Sequence, residues 1–171
     1  GVYQRIVAKE FDNTPEHEVV TFFNAAREGW LWRRGNGSRK KWRKRWFLLN
    51  DNVLYYFKTR PKVGLQSTHG CRCIIPLSAL EVQYKGREKF LLRAPYGQQI
   101  KSAKRDNKGR LRRGKHTEML FRAKTQVEAI EWVHALRNEI RLSKLPRRWV
   151  TARRAEVNRE EKDDAESVQE E

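Results

Sequence analysis

The chain has 171 residues and a mass of 20.4 kDa, with 38 Lys and Arg against 21 Asp and Glu, a net charge of +17. That length leaves room for one core with appended segments, and the charge points to a polyanionic partner, either a phospholipid membrane surface or a nucleic acid. No run approaches the roughly 18–20 apolar residues of a membrane span and no charged-then-apolar leader opens the chain, so a soluble protein is expected, and the start at Gly1 is read as excision from something longer.

Residues 1–27 read as a linker with a short helix, started near Pro15 and carrying an aromatic plug at Phe22 and Phe23. From Glu28 onward the pattern changes to short strands, with candidates at 29–34, 41–49, 53–58, 72–76, 80–84, 89–93, 97–104 and 117–123. Turn signals separate them at Gly35-Asn36-Gly37, Asn50-Asp51-Asn52, Pro95-Tyr96-Gly97 and Lys108-Gly109. Many short antiparallel strands predict a sandwich or barrel.

The first two strands carry the chemistry. Arg43, Arg45, Phe47 and Leu49 alternate, so an extended strand puts them on one face, cationic at one end and apolar at the other. Two like charges beside an apolar face are costly unless an anion satisfies them. Arg33 lies on the preceding strand across the glycine turn, so several cations and free amides converge on one multiply charged anion, with phosphate the obvious candidate. Arg39, Lys40 and Lys41 at the loop base add non-specific attraction to anionic lipid, and Trp42 either inserts at the membrane interface or packs beside the strand.

His69-x-Cys71-x-Cys73 lacks a fourth ligand at zinc spacing and is read as a flexible loop, not a metal site. Two cysteines in a loop are no disulfide framework and fit a reducing cytosol. Over residues 124–143 the period becomes helical. Thr125-x-x-Glu128 is a capping box, and Ala129, Trp132, Val133, Leu136 and Ile140 share the face that plugs the barrel. Pro146 ends the helix, Arg147, Arg148, Arg153 and Arg154 form a second basic cluster, and residues 156–171 carry eight acids against two bases. This tail is expected to be disordered and to pair transiently with the basic remainder, whose own net charge is +23.

Several separated motifs, in order, carry a resemblance. Thr21-Phe22-Phe23-Asn24, Arg27 to Leu31, Trp42 to Phe47, Asp51-Asn52, Leu54 to Phe57 and Ile74 to Leu77 are similar to the pleckstrin-homology domain of the cytohesin family of Arf exchange factors, and the stretch from Ile100 to His116 resembles the extended hairpin between that family's sixth and seventh strands. The likeness covers about residues 20–142. It implies a mainly β fold, a seven-stranded, partly open antiparallel barrel capped by a C-terminal α-helix. Domain bounds are then a linker at 1–27, the domain at 28–143, a polybasic segment at 144–155 and the acidic tail at 156–171.

By the same resemblance the barrel's open end binds 3-phosphorylated phosphoinositides, phosphatidylinositol 3,4,5-trisphosphate first. Arg33 takes the place of the family's first-strand lysine, Arg43 and Arg45 match its second-strand pair, and Tyr56, Arg72, Lys104 and His116 match further pocket residues. Three positions depart from the pattern. Ser38 stands where the family has an arginine, with Arg39 adjacent as a substitute. Lys115 replaces an asparagine. The Gly35-Asn36-Gly37 loop has the length of the less selective triglycine variants, so phosphatidylinositol 4,5-bisphosphate is expected to compete.

Phe22 and Phe23 either staple the linker or, as the family implies, join Arg147, Arg148, Arg153 and Arg154 in regulating a neighbouring exchange domain and contacting GTP-bound Arf. The chain is expected to be a non-catalytic, cofactor-free module, cytoplasmic and recruited peripherally to the plasma membrane. The rival readings are a purely protein-binding pleckstrin-homology domain and a basic nucleic-acid-binding barrel, and no nucleic acid is expected.

Overall fold

A computed structural model describes residues 25–35, 40–61, 70–146 and 156. The described strands are β1 (Arg27–Gly35), β2 (Arg43–Asn50), β3 (Val53–Phe57), β4 (Cys71–Pro76), β5 (Glu81–Gly86), β6 (Lys89–Arg93), β7 (Ala103–Arg105), β8 (Leu111–Arg113) and β9 (Glu118–Arg122), followed by helix α1 (Gln126–Ser143). They form one antiparallel sheet of order β5-β6-β9-β1-β2-β3-β4-β7-β8. The chain divides into two compact units, Gly1–Ile140 and Arg141–Glu171. In the second, the helix closes with the Lys144 amide donating to the Arg141 carbonyl at 3.2 Å and the Leu145 amide to that of Leu142 at 3.1 Å.

Alternation along β2 sorts the core. Phe47 and Leu49 point inward with Leu31, Leu54, Tyr56, Ile75, Phe90, Leu92 and Phe121, and Trp132, Val133, Leu136 and Ile140 close over them from α1. Trp132 is 1% exposed, so the helix does plug the barrel. Its N-terminus is capped by Thr125, whose hydroxyl accepts from the Glu128 amide at 3.2 Å. At the β2–β3 hairpin Asp51 and Asn52 take positive φ (48° and 60°), as two-residue hairpin turns require. The buried Glu139 accepts from the Asn52 amide at 2.8 Å and ties that turn to α1.

The expected fold class holds: a mainly β antiparallel barrel with a C-terminal helical cap. Nine strands stand in place of seven because β7 and β8 form an added hairpin beyond β4. The expected strand over 97–104 is instead a 3₁₀ turn at Pro95–Gly97, then irregular chain up to β7. A second correction concerns Cys71 and Cys73, which are not in a loop but in β4, both buried and both free thiols. All five residues of β3 are buried, because a further apolar cluster of Trp46, Leu48, Tyr55, Phe57, Cys71 and Ile74 covers the sheet's other face. The expected linker helix, Phe22, Phe23, the loop with Arg39, Arg147, Arg148, Arg153 and Arg154, and the acidic tail beyond Glu156 lie outside the described residues.

Candidate functional site

At one end of the barrel lies a pocket of ≈ 430 Å³ lined by Arg33, Arg43, Arg45, Tyr56, Arg72 and Lys104, with Arg105, Asp106, Asn107 and Arg112 on the hairpin side. Register explains the convergence. Arg33 pairs with Arg43 and Leu31 with Arg45 across β1–β2, so three guanidiniums leave the same face at the same end. Phe47, Tyr56, Cys73 and Lys104 form one row across β2, β3, β4 and β7, which carries Lys104 to the pocket wall. Arg72 is the extra residue of a bulge, since Tyr56 pairs with Cys73 and Phe57 with Cys71. A bulge bends the strand and re-aims its side chain.

Arg33 is the pocket's floor. It is only 6% exposed, its guanidinium sits 4.8 Å above the Tyr56 ring, and its Nε is buried without a hydrogen-bond partner. Burial, and then the charge of Arg33, lower the pKa of both Arg45 and Lys104. Burial, followed by Arg33 and Lys104, likewise holds His116 below the ordinary imidazole value of 6.5. Burial pushes the Tyr56 hydroxyl upward, so it stays protonated.

The carboxylate among these lining residues belongs to Asp106, and it is already engaged. Its oxygens accept from the Lys108 and Arg110 amides at 2.9 Å each and from Nε of Arg110 and Arg112 at 3.2 Å each. Desolvation opposes its ionisation, but these hydrogen bonds outweigh it and bring the carboxyl down to about 2. The pocket is therefore a cluster of cations with one acid turned to holding the hairpin's own turn together.

Six of the sequence-predicted residues, Arg33, Arg43, Arg45, Tyr56, Arg72 and Lys104, meet in this pocket. His116 does not line the cavity but lies against the end of β1 on the Arg33 face, so close that a Cβ on Gly35 would collide with its ring. Lys115 is exposed and does not line the cavity, and Arg72, the first residue of the expected strand over 72–76, lies within β4. Sequence reasoning missed Arg105, Asp106, Asn107 and Arg112, although the Asp106 to Gly109 turn was visible as Lys108-Gly109. Trp42 packs beside the sheet, with Arg34 and Arg122 over its ring at 4.9 and 5.1 Å. Among the described residues no cluster of three or more His, Cys, Asp or Glu could hold a metal ion, and no helix is long and apolar enough to cross a membrane.

A family model described as PH domain matches residues 25–141. Human cytohesin-4 is 40% identical over 126 residues, covering 70% of this chain and 30% of that protein. Mouse cytohesin-2 is 40% identical over 123 residues, covering 68% and 29%. The chain thus spans about 30% of the length of these relatives. Among solved structures, the ORP8 PH domain superposes with a TM-score of 0.55 at 24% identity, covering 69% of this chain and 98% of that one.

Proposed function

The chain belongs to the PH-domain family, and from that premise we propose that it is a phosphoinositide-binding membrane-recruitment module, its pocket taking a 3-phosphorylated inositol headgroup. One observation carries the reading: Arg33 is buried at the pocket floor with an unpartnered Nε, among Arg43, Arg45, Arg72 and Lys104. Like charges packed together and partly desolvated raise the free energy of the empty site, and a polyanion relieves that cost. Guanidiniums suit phosphate because their paired donors match its oxygens.

Arg33, Arg43, Arg45 and Lys104 supply charge-assisted hydrogen bonds, Tyr56 donates its hydroxyl, and Arg72 closes the side opposite β1. The cytohesin likeness adds Arg39, Lys115 and His116 as further candidates for headgroup contact. The cytohesin likeness supports a parent Arf exchange factor, GTP-bound Arf as a second partner and the plasma membrane as destination, with phosphatidylinositol 4,5-bisphosphate as a competing ligand.

Titration with the soluble inositol 1,3,4,5-tetrakisphosphate headgroup tests the site. Saturable one-to-one binding by the wild type and its marked weakening in Arg45→Ala are expected. A chain that ignores the headgroup but binds GTP-loaded Arf, or single-stranded DNA, ends this reading. A panel of vesicles differing only in phosphoinositide then ranks the trisphosphate against the bisphosphate.

A further inference from the structure

The hairpin wall of the phosphate pocket sets two cations against each other. Lys104 on β7 and Arg112 on β8 are direct cross-strand partners, and both line the cavity. Like charges at opposed positions of a sheet destabilise it. An exposed arginine ordinarily escapes such a neighbour by swinging into water, and the Arg112 side chain is 60% exposed. Here it is held in place, because its Nε donates to Oδ2 of Asp106 at 3.2 Å.

Asp106 divides its two oxygens between two tasks. Oδ1 accepts from the Lys108 and Arg110 amides at 2.9 Å each. Main-chain bonds close the same turn, with the Asp106 amide donating to the Arg110 carbonyl at 2.8 Å and the Gly109 amide to the Asp106 carbonyl at 3.0 Å. The turn is therefore complete without Oδ2. That oxygen takes Nε of both Arg110 and Arg112 at 3.2 Å, yet of these two only Arg112 lines the pocket. With Nε engaged, Arg112 keeps its terminal nitrogens for a further acceptor, in the forked geometry that suits two oxygens of one phosphate.

We propose that Arg112 is a headgroup ligand and Asp106 its positioning residue, so that a phosphate monoester sits between Arg112 and Lys104 on the hairpin side of the pocket. This rests on the headgroup reading above and extends that site to the hairpin wall. The phosphate relieves the repulsion across the hairpin, which is the reason to hold Arg112 there. Asp106 carries a negative charge beside an anion site, so bare electrostatics and positioning give opposite signs for its removal. As a bystander, its replacement by Asn would tighten anion binding. As a positioning residue, the same change loosens it. Asn keeps the Oδ1 acceptor for the turn and puts an amide donor where Oδ2 received the two Nε groups.

Calorimetric titration of the full chain with inositol 1,3,4,5-tetrakisphosphate at about 0.15 M salt, where distant charges are screened, reads the affinities. Arg112→Ala should bind about tenfold more weakly than wild type, and Asp106→Asn about threefold more weakly. Arg110→Ala removes the same charge from the same oxygen but outside the cavity, and should stay within about twofold of wild type. The double variant Arg112→Ala/Asp106→Asn should bind no more weakly than Arg112→Ala alone, since a carboxylate with no arginine to position only repels. A weaker double variant means that the hairpin has collapsed, and it overturns the positioning role. Equal losses in Arg110→Ala and Arg112→Ala, or tighter binding by Asp106→Asn, overturn the proposal as well. A wild type that binds while Arg112→Ala is unaffected ends this proposal alone, whereas a wild type that ignores the headgroup ends the headgroup reading and this one with it.

Discussion

Arg45 separates binding from stability. Its side chain points into a field made by Arg33, Arg43 and Arg72, so Arg45→Ala should cost about 2 kcal/mol of headgroup affinity, some thirtyfold, the value of a charge-assisted hydrogen bond. Without ligand the same variant should melt no lower than wild type, because a repulsive neighbour has gone; calorimetry with and without the headgroup reads both. His116 gives a pH signature. Its pKa lies below 6.5 in the folded chain, so the unfolded chain takes up a proton that the folded one refuses, and unliganded stability falls as pH drops through 6.5. An anion in the pocket reverses the sign by favouring the imidazolium. Headgroup affinity should therefore rise between pH 7.5 and 6 relative to His116→Gln, with proton uptake measurable by calorimetry in buffers of different ionisation enthalpy.

Among elements, α1 and the β2–β3 hairpin are joined through Glu139 and Asn52. Replacing Glu139 by Ala orphans the Asn52 amide and should cost about 1–3 kcal/mol in denaturant unfolding, while Trp132→Ala, which empties the barrel's plug, should cost about 3–5 kcal/mol. The Trp132 role was legible because helical spacing of apolar residues follows directly from the sequence. So was the Arg43 and Arg45 face, since strand alternation alone places it. Arg72 was only half legible: its membership of the pocket came from resemblance, but the bulge that aims it depends on how β3 and β4 slip past each other, a long-range property. The hairpin from Arg105 to Arg112 came from resemblance too, but its place in the pocket wall was hidden for a related reason. β7 and β8 are three residues each, too short for a periodic signal, and Asp106 holds them through local hydrogen bonds that no hydrophobic pattern announces.

For the whole molecule, charge is the long-range variable. Removing residues 156–171 would raise the net charge from +17 to +23 and should strengthen binding to anionic vesicles at low salt. The gain should shrink above about 0.15 M salt, where screening acts over roughly 8 Å, and vesicle sedimentation at two ionic strengths measures it. Specific headgroup affinity, set at close range inside the pocket, should change far less.

The buried thiols of β4 make the protein its own chronometer. Burial pushes Cys71 up to about 12 and Cys73 to about 11, so at pH 8 neither reacts with iodoacetamide until the strands part. Because of the bulge at Arg72, Cys71 belongs to the outer apolar cluster and Cys73 to the inner core, in the same row as Tyr56 and Lys104. Their two alkylation clocks, read peptide by peptide in a mass spectrometer, time the opening of the two faces of one sheet separately, and a bound headgroup should slow the Cys73 clock more than the Cys71 clock.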